Sequence, residues 1–248
     1  MAMQWLEREL KKNGSAQDRA YAEIIAGVRK ARGQDIPLPH TQVAAQSEEQ
    51  IQAAMQELDL RAEWQRQAER YVESAFHAEL GLSEEDYLAS LPKFAEQPEN
   101  FRNRFDTPVL VETRINSARQ AELAGLGFYL GGLSVADWKD SQGYKTPDAP
   151  YATWMQDGKK NLGRSVRDVR ATLGPDERGA TLADGIALYI THPEILKDHY
   201  VDLPGTSVGS AYAPFLCRWD DRPEVDCSGV GYAASDFGSA SCGREISS

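Results

Sequence analysis

The residues of this chain that could do chemistry gather in its last third. Cys217, Cys227, Cys242, His192 and His199 lie there among several aspartates. The segment Ser239-Ala240-Ser241-Cys242-Gly243 sets a thiol between small residues that would leave it open to a substrate. A thiol nucleophile needs a base, which His192 or His199 could supply. It also needs a carboxylate to orient that base, and Asp184, Asp198 and Asp202 are the candidates. Read this way, the chain is a small cysteine-dependent hydrolase or thiol enzyme with Cys242, His192, His199 and Asp202 in its site. Each residue also has a plainer role. Small residues around a cysteine let strands approach closely. A histidine before a proline at a helix end, as at His192-Pro193, complements the helix dipole and caps last-turn carbonyls. No complete catalytic motif is present, so the leading expectation is a binding or interaction protein without catalytic chemistry. The sequence leaves open whether the protein is an enzyme.

Other motifs dissolve when their context is checked. Gly229-Val230-Gly231-Tyr232-Ala233-Ala234 spells a dinucleotide fingerprint. That motif works only between a strand and a helix, with an acid about twenty residues further on. Too little extended-looking chain remains after Ala234 for that. Asp236-Phe237-Gly238 imitates a kinase triplet without the rest of the kinase set. The three cysteines and His199 could offer four zinc ligands, but their spacing lacks the close pairs of structural zinc sites. A Cys227–Cys242 disulfide is possible between neighbouring strands and disfavoured in a reducing compartment. No cofactor and no metal are expected.

The chain has 248 residues, 41% hydrophobic and 26% charged, an ordinary composition for a globular protein. Its formal net charge of −11 is spread along the whole length. Such a chain repels phosphate backbones and anionic lipid surfaces, so neither nucleic acid nor membrane is expected as a partner. No stretch approaches the roughly eighteen apolar residues of a membrane span. The amphipathic N-terminus lacks the apolar stretch of a secretory signal. Three cysteines, an odd and low count, fit a reducing cytoplasm.

Periodicity makes residues 1–95 helical and residues 96–248 a mixed α+β domain. Trp5, Leu6 and Leu10 share one stripe, and Asn13-Gly14 stops it. Ser15 caps a second helix through Tyr21, Ile24, Ile25 and Val28. Pro37 and Pro39 fix an extended linker. A long helix is expected from Ser47 to Gly81, then a short one from Ser83 to Pro92. Trp5, Trp64, Tyr71 and Phe76 could anchor a protein partner or self-association through these helices. The favoured alternative is that they pack on the C-terminal domain.

Beyond Pro108 the pattern becomes mixed. PVLVET reads as a strand, and a short helix follows Ser117. Tyr151–Gln156 reads as another strand, with Asp157-Gly158 as a type I′ hairpin signal. Ser165…Asp168 and Thr181…Asp184 are capping boxes for two helices. Tyr212 to Trp219 alternates, with Phe215, Cys217 and Trp219 on one face, and Asp220-Asp221-Arg222-Pro223 turns the chain. Leu203, within Asp202-Leu203-Pro204-Gly205, would anchor a turn on the core. Short glycine-rich strands close an antiparallel C-terminal sheet.

Several segments, taken in order, resemble a family of uncharacterised bacterial proteins. They are TPDAPYATWMQDGKKNLG, DGIALYITHPEILKDH, VDLPGT and FGSASCG, and the resemblance covers roughly residues 108–246. It implies a bacterial cytoplasmic origin and one intact C-terminal domain, and it brings no catalytic residue, cofactor or partner.

Overall fold

The structure, a computed structural model, describes residues 42–129, 138–141 and 143–247. The expected helices around Trp5 and Tyr21 and the Pro37–Pro39 linker lie outside the described residues. The chain divides into two compact units, residues 1–62 and 63–248. In the first, the described part is the opening of helix α1 (Gln42–Glu73), which starts ahead of the expected Ser47.

Within the second unit α1 ends at Glu73 rather than Gly81. Ala75 takes a left-handed backbone, φ 61°, and the short helix α2 (Phe76–Glu79) follows. Packing explains the break. On an unbroken helix Phe76 would point roughly 140° away from Tyr71. The turn instead brings both rings together edge to face at 4.9 Å, each fully buried. Tyr71 also donates its hydroxyl to Leu110 O at 2.7 Å. One turn earlier, Gln67 donates to Pro108 O and accepts from Leu110 N. Helix α3 (Glu84–Ser90) is capped by Ser83, as expected. Ala68, Tyr71, Phe76, Tyr87 and Leu91 therefore belong to the main core. Trp64 packs against that core, its Nε1 donating to Pro92 O and the Lys93 ammonium lying over its ring. Tyr71 and Phe76 are thus core residues rather than exposed anchors.

The second unit is α+β, with two sheets around one helix. The first sheet has the order β1 (Thr107–Val111), β4 (Tyr151–Gln156), β11 (Ser241–Ser247), β5 (Glu177–Gly179), antiparallel throughout. The second has seven strands built on β8 (Tyr212–Trp219). Along one side of β8 runs β9 (Arg222–Gly229), and β6 (Tyr200–Asp202) and β7 (Thr206–Val208) share the other. Strand β3 (Trp138–Asp140) pairs antiparallel with β7. At the margins, β10 (Phe237–Ser239) runs parallel to β6 and β2 (Gly127–Phe128) parallel to β9.

Helix α6 (Leu182–Thr191) packs against both β1 and β8. It is buried all round except at Tyr189, as its nearly continuous apolar sequence requires. Thr181 and Asp184 cap it reciprocally, whereas Ser165 caps α5 (Val166–Thr172) through its side chain alone, accepting from Asp168 N and donating to the Asp168 carboxylate. Helix α4 (Ser117–Leu123) is capped by Asn116.

Asp157-Gly158 makes no hairpin. Gly158, at φ 104°, leads into a short 3-10 turn (Lys159–Asn161), because its backbone is pressed against that of Gly238. The two-residue hairpin turn falls instead at Asp220-Asp221, whose φ values of 46° and 64° are those a type I′ turn requires. Leu203 is fully buried in the main core, as its turn suggested.

Candidate functional site

Cys242 sits inside the first sheet, paired with Met155 on one side and Arg178 on the other, with no exposure. Beside it is a buried ion pair. Arg178 grips Asp184 through its two terminal guanidinium nitrogens, at 2.5 and 3.0 Å. Tyr151, Thr181 N and the Thr181 hydroxyl all donate to the same carboxylate at 2.7–2.8 Å. The Tyr144 ring covers the guanidinium at 4.2 Å. Despite burial, these donors hold the Asp184 carboxyl below its ordinary range. Burial drives the Cys242 thiol far up, and Asp184 and Glu177 push the same way, against the pull of Arg178. Burial of this sulfur therefore disfavours its thiolate.

The other sequence candidates stand apart from it. His192 ends α6, its Nδ1 donating to Thr191 Oγ1 at 2.8 Å while Arg66 donates to its Nε2 at 3.2 Å. Burial, and then Arg66, lower its pKa. His199 donates Nε2–H to Asp157 O at 2.9 Å, and its buried Nδ1 has no partner among the described residues. Neither imidazole is hydrogen-bonded to Cys242. Asp184 orients Arg178 and not a histidine, while exposed Asp198 pairs with Lys159 at 2.9 Å. Asp202 is buried in the second sheet, and burial raises its carboxyl to about 7. Ser239, in register on β10, opposes that rise without forming a well-aligned hydrogen bond. Among the described residues no group of His, Cys, Asp and Glu is placed to share a metal ion, and all three cysteines are free thiols. No described helix is long and apolar enough to cross a membrane.

A different surface emerges from the register of the second sheet. Side chains alternate between its faces. Leu216 and its registered neighbours Val201 and Val225 face the main core. Phe215, Cys217 and Trp219 therefore face outward, with Tyr200 of β6 and Phe237 of β10 beside them. Phe237 touches Tyr200 at 4.9 Å, Phe215 at 5.0 Å and Tyr232 at 5.2 Å, and Tyr200 reaches Trp219 at 5.7 Å. Phe215, Cys217 and Phe237 form a buried floor. Above it Trp219 and Tyr232 remain 50% and 52% exposed.

Glu224 and Asp226 of β9 share this outer face, opposite Cys217 and Phe215. Burial raises the Cys217 thiol to about 12, and the two carboxylates add to the rise. Burial also raises the Asp226 carboxyl, although Cys227 N donates to it at 2.6 Å. Gly127 gives Glu224 room, since a Cβ there would lie 3.1 Å from Glu224 Cγ.

No known family, curated protein or solved structure matches this chain.

The sequence reading passed over this face. Its signals were the alternation from Tyr212 to Trp219 and the acids two apart in Glu224-Val225-Asp226. Neither reveals that Tyr200, Tyr232 and Phe237 join them, because those contacts depend on the parallel pairing of β10 with β6.

Proposed function

We propose that this is a binding protein that recognises a partner through the outer face of the seven-stranded sheet. The half-open pair Trp219 and Tyr232, standing on the buried floor of Phe215, Cys217 and Phe237, carries this reading. Large rings seated on a rigid base expose much contact area at little entropic cost, as interface anchors do. The Cys242 neighbourhood supports it from the other side, because a buried thiol with a raised pKa is a poor nucleophile. We place the protein in a bacterial cytoplasm, within the uncharacterised family its motifs resemble. Its acidic charge and free thiols support that placement.

The test is capture from an extract of the source cells, with the full chain and its Trp219→Ala/Tyr232→Ala variant as baits. The wild type should retain a stoichiometric partner that the equally stable variant loses. Sedimentation of the bait alone reads self-association through the N-terminal helices. A monomeric wild type that retains nothing, or identical catches from both baits, would count against this reading.

A further inference from the structure

We infer that the occupant of this outer sheet face is an extended, arginine- or lysine-rich peptide segment of a partner protein. The inference rests on the reading of the face as a recognition surface and names its partner. The first argument is charge. Between Arg218 and Asp236 the chain holds Asp220, Asp221, Glu224, Asp226 and Asp236 against two arginines. One of these, Arg218, is already taken by Asp221 at 2.9 Å; the other, Arg222, lies in register with Trp219 on the same face as Glu224 and Asp226, whose two carboxylates outnumber it there. Among the described residues Glu224, Asp226 and Asp236 have no ion pair.

The second argument is spacing. Glu224 and Asp226 are alternate residues of β9, so their side chains leave the same face roughly 6.7 Å apart. An extended peptide repeats its own side chains at that interval, so two basic residues at alternate positions could each meet a carboxylate. The third is the kind of polar group beside the rings. A saccharide stacked on Trp219 would need donors and acceptors for its hydroxyls, whereas these flanking carboxylates chiefly accept. A guanidinium satisfies both parts of the surface at once, its plane against Trp219 or Tyr232 and its N–H groups toward a carboxylate. The net charge of −11 would steer such a segment inward from a distance.

The experiment titrates the full chain with a fluorescent peptide of about ten residues alternating arginine and serine. The glutamate–serine counterpart and a neutral cello-oligosaccharide are parallel probes. The arginine peptide should bind saturably at low salt and weaken as salt rises. Trp219→Ala should weaken it at least about tenfold, and so should Glu224→Gln with Asp226→Asn. The charge-neutral pair is the second variant should Trp219→Ala disturb the fold, and thermal melts of both identify that case. Absence of saturable arginine-peptide binding overturns the inference. So do equal affinity for the glutamate peptide, preference for the oligosaccharide, or affinity unchanged by the charge-neutral pair. If the extract still yields a Trp219-dependent partner while the arginine peptide fails, the cationic assignment falls and the recognition surface stands. If both experiments fail, both readings fall.

Discussion

Asp184 and Asp202 are both buried, yet their surroundings push them in opposite directions. Asp184 has a guanidinium and three further donors, so its ionised form is favoured. Its contribution is present above the ordinary carboxylate pKa of 3.8 and is lost as pH falls through a still lower native value. Asp184→Asn leaves Arg178 buried without its counter-charge and should cost about 3–5 kcal/mol, read by urea unfolding at neutral pH. Asp202 has one weak companion, Ser239, and its native pKa rises from 3.8 to about 7. Between those values the folded chain keeps a proton that the unfolded chain has released. Its stabilising contribution is therefore complete below pH 3.8 and is lost as pH rises through about 7. The full effect is on the order of 4 kcal/mol. Asp202→Asn cannot ionise, so it should be more stable than wild type at pH 8, with the difference shrinking toward pH 4. Parallel stability curves for the two proteins between pH 4 and 8 would refute the assignment.

The elements that local rules govern were legible in the sequence, and those set by distant contacts were not. Ser165 and Thr181 cap their helices because a side-chain oxygen three residues before an acid is a local arrangement. The span of β8 follows from its alternation. The break after Glu73 was hidden because no glycine or proline marks it; the burial of Phe76 against Tyr71 forces Ala75 into a left-handed turn. Asp157-Gly158 misled because the same pair of residues serves a hairpin or a close backbone crossing. Gly158 meets Gly238, more than seventy positions away in the chain. That crossing can be tested. A Cβ at Gly238 would run into the Gly158 carbonyl, which a side-chain rotation cannot relieve. Gly238→Ala should therefore cost about 3 kcal/mol or more. At Gly229 an added Cβ meets only Ala211 O at 3.9 Å. Gly229→Ala should change stability by less than about 0.5 kcal/mol, so equal thermal shifts for the two variants would contradict the packing account.

The largest core of the second unit is shared by both sheets. Val109, Met155 and Cys242 from the first sheet join Val201, Leu216 and Val225 from the second, with Ile186 and Leu188 of α6 in the same cluster. Apolar contact that is continuous through a helix between two sheets ties the larger part of both to one cluster, so they should unfold together. The cysteines report on each part separately. Cys242 lies in the first sheet and Cys217 in the second, both fully buried, while Cys227 is half-buried. Burial raises all three thiols, but only Cys227 is partly exposed, so a thiol reagent at neutral pH should modify Cys227 in the native protein and leave the fully buried other two until the unit opens. With denaturant, labelling of Cys217 and Cys242, each located by peptide mapping, should rise at one common midpoint. Two separated midpoints would mean that the sheets are independent folding units. Rapid labelling of Cys242 in the native state would mean that the thiol is not sealed, and would reopen its case as a nucleophile.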